Sequence, residues 1–419
     1  VECLIKERKL TPKLLLSIAL LILISRALIL FTGYVGINLF GKYSTPTAYD
    51  HNAHDSLAEW RQQLPHRMEE TQKLVLGDFV KFDTFSYLKI ATQGYDKVKM
   101  NEPHTAANWV FFPLYPLLIF LMGKVLWLEP ALIGILLSNL FLFISLLYLY
   151  LICLQRGLSA RQAGTVMFLV LLYPSSLYFS VPYTESLFFM LSAASIYYAS
   201  NKQYALAFIA ASLSTVTRVP GFINLAFVIG SILVHDGFRL NKNYFKWALY
   251  AILSLVPMGA YLAHMKSLTG DWLAPFHEQS LNWFRYTTTP FKNYIAYWKQ
   301  PYFSTPDGWD NGLIAFVIST VIFAVFIAYF FMNVKKMFKD LGQLLFFVYG
   351  AMLIVIPFSS QPYFLVSVVR YMMVCIPLYI YIVSLADNRE NLLRFFQLLF
   401  VIIHVIITIA YFNDFYFVI

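Results

Sequence analysis

The sequence predicts an all-α integral membrane protein, a polytopic bundle of about eleven transmembrane helices with a large hydrophilic loop near its N-terminus. Two observations carry this. Hydrophobic residues make up 59% of the 419 positions and charged residues 13%, whereas soluble domains carry about 25% charged residues. Segments such as 131–153 (ALIGILLSNLFLFISLLYLYLIC) hold no charge and are long enough to cross a bilayer. Apolar surface in this excess faces lipid, which admits only helices and closed barrels. The runs lack the polar alternation of barrel strands.

Taken in chain order, the basic N-terminal stretch (Lys6, Arg8, Lys9, Lys13) leads into an apolar run ending near Phe40. That run is too long for a signal-peptide core and has no small-residue cleavage site, so a retained first span is expected at 14–38. Further spans are expected at about 131–153, 163–180, 184–199, 204–217, 221–235, 247–265, 312–333, 342–358, 364–385 and 393–411. Two stretches, 39–130 and 266–311, are not spans. No internal repeat or low-complexity linker divides the chain, so residues 1–419 are expected to form one membrane domain. The three cysteines, Cys3, Cys153 and Cys375, have no CxxC or metal-ligand spacing and imply neither a disulfide framework nor a zinc site.

The formal charge is +9, from 31 Lys and Arg against 22 Asp and Glu. In a membrane protein these cations mark topology first, and no nucleic-acid partner is expected. Arg156/Arg161, Lys202, Arg239/Lys242/Lys246, Lys335/Lys336/Lys339 and Arg389/Arg394 fall in alternate connections. All of them lie inside, with the basic N-terminal stretch, provided that Trp109–Trp127 does not cross the membrane. Its Pro113, Pro116 and Lys124 suit an interfacial helix. Both long loops, 39–130 and 266–311, are then outside, and the chemistry is expected there.

The first of them contains FDTFSYLKIATQGY (82–95) and NWVFFPLYP (108–116). The order Phe82-Asp83, Tyr87, Ile90-Ala91, Gly94-Tyr95, then Phe111-Phe112-Pro113, resembles the PIG-V family of polyprenyl-phosphate-mannose-dependent mannosyltransferases. Tyr173-Pro174 followed by Pro182-Tyr183-Thr184-Glu185-Ser186-Leu187-Phe188, and Thr217-Arg218-Val219-Pro220-Gly221, resemble later blocks of that family in the same order. Ser25-Arg26 and Gly270-Asp271-Trp272-Leu273-Ala274 resemble positions in its prokaryotic-type members. Phe82 stands where the family has tryptophan, Ser86 where it often has histidine, and Val219-Pro220 where it has Ser-Asn. These departures bear on the sugar or acceptor more than on the fold. The resemblance implies a GT-C glycosyltransferase, with a catalytic acidic residue in the first outer loop and a juxtamembrane helix before the second span. It implies mannose as the sugar and, on the matching motifs, Asp83, Tyr87, Tyr183, Glu185, Arg218 and Asp271 as site residues; Arg370 and His277 join the candidates on the chemistry of the outer face.

Chemistry gives the charged candidates their roles. Sugar transfer from a lipid phosphate needs a base for the acceptor hydroxyl and cations for the departing phosphate. Asp83 is the expected catalytic base, with Tyr87 and Ile90 following at helical spacing; its alternative role is to N-cap that helix, with Ser86 at the third position. Asp78 and Asp50 share the loop and are the fallbacks. Glu185 begins a span on the outer face, where a carboxylate also suits a helix N-terminus. Arg218 and Arg370 lie on the outer side without an evident partner, and a lipid phosphate matches the guanidinium fork. The other role open to Arg370 is an internal ion pair, and to Arg26 snorkelling or bracing. Asp271, His277 and Glu278 could hold a metal, but their spacing fits no metal motif and equally suits a polar loop.

The expected partners are therefore membrane lipid, a polyprenyl-phosphate sugar donor, and a glycan, glycolipid or protein acceptor. No cofactor is called for, and a divalent metal stays open. A prokaryotic plasma membrane is the expected location, or the endoplasmic reticulum in a eukaryote. A transporter or flippase would show inverted repeats or paired broken helices, and neither is evident. A membrane O-acyltransferase would pair an intramembrane histidine with Asn or Asp, and His404 has no evident partner. A non-catalytic assembly subunit with the same fold differs only in activity.

Overall fold

The computed structural model describes residues 11–39, 71–239, 241–303, 312–360 and 364–415. Asp50 and parts of both long loops lie outside these. Among the described residues the regular secondary structure is all helical, with a single isolated bridge between Thr287 and Ser360.

The long apolar runs form the outer helices. These are α1 (Pro12–Leu39), then after α2 (Asp83–Gln93) and α3 (Leu114–Leu126) the span-length α4 (Pro130–Gln155). Four shorter helices follow, α5 (Ala160–Leu172), α6 (Glu185–Ser200), α7 (Tyr204–Thr215) and α8 (Gly221–His235). Next, α9 (Asn243–Leu253) and α10 (Val256–Thr269) make one rod jogged before Pro257, ahead of α11 (Ala274–Leu281) and α12 (Lys292–Lys299). The chain closes with α13 (Gly312–Lys339), α14 (Leu341–Val355), α15 (Val368–Met372), α16 (Ile376–Leu385) and α17 (Glu390–Phe412). Six rods among the described residues are long and apolar enough to cross a membrane: α1, α4, α9–α10, α13, α14 with its 3₁₀ extension to Ser359, and α17. Leu16, Leu23, Leu28 and Phe31 on α1 are exposed. Such a surface is stable only against lipid or another apolar partner.

The short helices occupy the interior, where α6 packs on α4, α7 and α8. Sequence reading ran single spans through 163–180 and 364–385, and both are broken. The first breaks at Tyr173–Thr184, a buried stretch with prolines at 174 and 182, and the second between α15 and α16, just before Pro377. Non-helical backbone at membrane depth must find partners within the protein. Here the Tyr173 hydroxyl donates to the Val369 carbonyl (2.9 Å), Ser138 Oγ to the Val181 carbonyl (3.0 Å) and Ser176 Oγ to the Leu171 carbonyl (2.7 Å). Arg26 Nη1 donates to the Ser176 carbonyl (3.3 Å) and to Ser180 Oγ (2.5 Å), so this guanidinium braces the break from α1.

Contacts sort the connections into two ends. At one end, Gln162 meets Asp387, Arg156 lies over the Phe346 ring, and the Tyr204 hydroxyl meets His235. These contacts gather the basic connections. At the other end, Lys81 Nζ reaches the Phe412 carbonyl, the Met100 amide donates to the Thr269 carbonyl, and Thr288 donates to Ser359. The two long loops thus pack on each other. Both ends of α3 belong here: the Leu114 amide donates to the Val216 carbonyl, and Gly134, one turn into α4, packs on Pro182. With both of its ends on this side, α3, 13 residues long, stays at the long-loop end.

Candidate functional site

The charged candidates meet at the long-loop end. The first step is the placement of Asp83. Phe82 adopts φ 57° and ψ −124°, a conformation costly for a bulky side chain, and turns the chain sharply into α2. Asp83 is therefore the first residue of α2 and not its N-cap, which is Phe82. Its backbone amide donates to the Tyr183 hydroxyl at 3.2 Å. The helix then buries Tyr87, Ile90 and Ala91 and stops at Gly94, whose φ of 83° and ψ of −169° only glycine adopts readily. The Asp83 carboxylate keeps 22% exposure and accepts from Arg370 Nη1 at 2.9 Å.

Glu185 is likewise the first residue of its helix, α6, where the dipole favours negative charge. Its side chain is 1% exposed. Oε1 lies 2.5 Å from Arg218 Nη1 and 3.6 Å from Arg370 Nε, while Oε2 is buried without a hydrogen-bond partner. Arg218 sits in the turn between α7 and α8 and is 15% exposed. That turn is tight because Gly221 lies directly on the Ser214 backbone, where a Cβ would collide with the carbonyl. Arg370, 4% exposed, bridges both carboxylates and faces the rings of Tyr178 and Tyr183, each 5.3 Å from its Cζ. The Tyr87 hydroxyl meets Thr184 Oγ1 at 3.4 Å, and its ring packs edge-on to Tyr183.

The structure thus brings together Asp83, Glu185, Arg218, Arg370, Tyr87 and Tyr183. It also changes the meaning of the arginines. Sequence reading assigned both to a lipid phosphate, with an internal ion pair as the other role open to Arg370; in the structure each is held by a carboxylate of the site. Two contributors were missed. Arg285, in the loop between α11 and α12, donates to the Tyr371 hydroxyl. The Tyr371 ring lies between three guanidiniums, with Cζ of Arg218, Arg285 and Arg370 at 5.0, 5.2 and 5.2 Å. An outer-loop arginine, unexplained by the positive-inside rule, was the available signal for Arg285; Tyr371 gave none.

Other candidates lie apart. Asp271 and His277 pair with each other at 2.6 Å and contact none of the arginines described here. Burial opposes ionisation of Asp271, but hydrogen bonds from His277 and the Leu273 amide outweigh it and hold the carboxyl below its usual range. Glu278 turns away from that pair, fully buried, so the suspected metal cluster is divided. Among the described residues no three His, Cys, Asp or Glu side chains converge as a metal would require. Asp78 accepts from the Val75 amide at 2.8 Å and serves a turn. His404 sits against the Tyr173 carbonyl and Ser176 Oγ, a packed interface between α17 and the buried break.

Glu278 clips the two long loops together. It accepts from the Ala107 amide at 2.7 Å and meets His104 Nε2 at 2.9 Å, while His104 Nδ1 lies 2.7 Å from the Glu102 carbonyl. Only an imidazolium donates from both nitrogens. The Glu102 carbonyl, followed by Glu278, accordingly raises the His104 pKa. A raised folded value stabilises fully below the unfolded value of about 6.5 and loses that contribution as pH rises through the folded one. The melting difference between wild type and His104→Gln is expected to be largest below about pH 6.5 and to shrink at alkaline pH. A difference that ignores pH would mean that the imidazole is neutral throughout.

Comparison with known proteins finds no matching family model, no similar curated protein and no similar solved structure.

Proposed function

We propose that the chain is a membrane glycosyltransferase of GT-C type, moving a sugar, with mannose expected, from a polyprenyl-phosphate donor to a glycolipid, glycan or protein hydroxyl. The observation that carries this reading is a partly open carboxylate, Asp83, held beside clustered guanidiniums at the end of an apolar helical bundle. Asp83 takes the proton of the acceptor hydroxyl, whose oxygen attacks the anomeric carbon directly and inverts it. The bond to the phosphate oxygen breaks, and its electron pair leaves with the lipid phosphate. Fixed guanidiniums stabilise that charge as it develops. Arg370 bridges Asp83 and Glu185 and so holds both carboxylates in place beside the reacting groups.

The motif resemblance supports the donor class, and the layout supports the bundle. Shorter buried helices between the six span-length rods fit the polytopic architecture of about eleven crossings. Basic connections gathered at the far end favour an extracytoplasmic site. The test is incubation of the purified protein with polyprenyl-phosphate-mannose and extracted membrane lipids. A product heavier by one hexose is expected, and its loss with Asp83→Asn. Failure to consume the donor with any glycolipid, glycan or protein acceptor would remove the assignment.

A further inference from the structure

Three guanidiniums surround Tyr371, but they are not equivalent. Arg218 is committed to Glu185, and Arg370 to Asp83 and Glu185. Arg285 pairs with no carboxylate among the described residues. Its Nη1 donates to the Tyr371 hydroxyl and its Nη2 to Ser367 Oγ at 3.4 Å, both neutral acceptors. Among the described residues, three guanidinium charges stand against two carboxylates, which leaves one positive charge in excess, at Arg285. Ser367 also accepts from Arg370 Nη2 at 3.3 Å and is held at φ 60°, a left-handed backbone unusual for serine. Such strain persists where the surroundings enforce it. Here it aims one hydroxyl at two arginines.

We propose that Arg285, with the Tyr371 and Ser367 hydroxyls, is the seat of a singly charged phosphodiester, and that Arg218 and Arg370 serve chiefly to position the two carboxylates. The assignment rests on the glycosyltransferase reading and sharpens it. The sugar-bearing phosphate of the donor carries one negative charge and balances the cluster, whereas a diphosphate donor would overcharge it. A half-buried guanidinium with an excess charge gives up little to bind such a group, because no carboxylate must be displaced first. The same chemistry could come from a membrane phospholipid headgroup, and binding measurements separate the two.

The experiment measures affinity for polyprenyl-phosphate-mannose, polyprenyl diphosphate and phosphatidylglycerol in lipid nanodiscs, without an acceptor. Arg285→Gln is expected to weaken polyprenyl-phosphate-mannose roughly tenfold to a hundredfold, as loss of a hydrogen-bonded charge does. Arg285→Lys should recover part of this, and Arg239→Gln, at the opposite end, none of the loss should appear. Wild-type protein should prefer the phosphodiester to the diphosphate. Unchanged affinity in a well-folded Arg285→Gln protein would overturn the seat while leaving the glycosyltransferase reading intact. Equal binding of phosphatidylglycerol, lost equally in Arg285→Gln, would assign the seat to a structural lipid and overturn its donor role. Wild-type protein that binds no polyprenyl-phosphate-mannose at all would overturn both.

Discussion

Replacing Asp83 by asparagine is expected to lower turnover about 100-fold or more, the usual worth of a general base. The substitution keeps the shape of the side chain and an oxygen that can accept from Arg370, and removes the basicity. Arg370 retains Glu185 at 3.6 Å, so stability should fall much less than activity. Rates measured with purified variants decide the matter. Asp78→Asn should transfer sugar nearly as well as wild type, because Asp78 is occupied with the Val75 amide. If Asp83→Asn were active and Asp78→Asn or Asp50→Asn inactive, the base would be one of those carboxylates instead.

The largest effect on stability is expected at Glu185. Its carboxylate is buried and compensates Arg218 and, in part, Arg370. Glu185→Gln leaves these charges short of an anion in a region that water reaches poorly, and breaking such a pair from one side costs about 3–5 kcal/mol. The double variant Glu185→Gln/Arg218→Gln should regain part of that loss, since the stranded cation is gone, yet remain inactive. Unfolding in detergent measures the cycle. Strictly additive losses would mean that the two side chains do not sense each other.

The outer rods were legible because hydropathy over a full span is a strong signal: 14–38 became Pro12–Leu39, 131–153 became Pro130–Gln155, and 393–411 became Glu390–Phe412. The interior was less so. Tyr173–Thr184 is apolar enough to pass for part of a span, and its break depends on distant groups such as Val369 and Ser138 that satisfy its backbone. For the site, residue types were informative and pairings were not. Asp83, Glu185, Arg218 and Arg370 stood out as ionisable groups near one face of an apolar chain. That the arginines answer the carboxylates is a property of packing, invisible in the local pattern around each residue. The same holds for His104 and Glu278, which lie 174 positions apart. Asp271 and His277 stood out for the same chemical reason, but they pair within their own loop.

The order of synthesis gives the charge network a history. Glu185 and Arg218 are separated only by α6 and α7, so one helical hairpin can neutralise both soon after it leaves the ribosome. Asp83 and Arg370 are 287 positions apart. Asp83 is made early and waits for most of the remaining chain before its partner exists. Closing a contact over that distance is slow compared with local pairing. The half of the site that contains the proposed base is thus assembled last, and a chain interrupted before Arg370 carries an unpaired Asp83. Incomplete products therefore lack the guanidinium that fixes Asp83 beside Glu185.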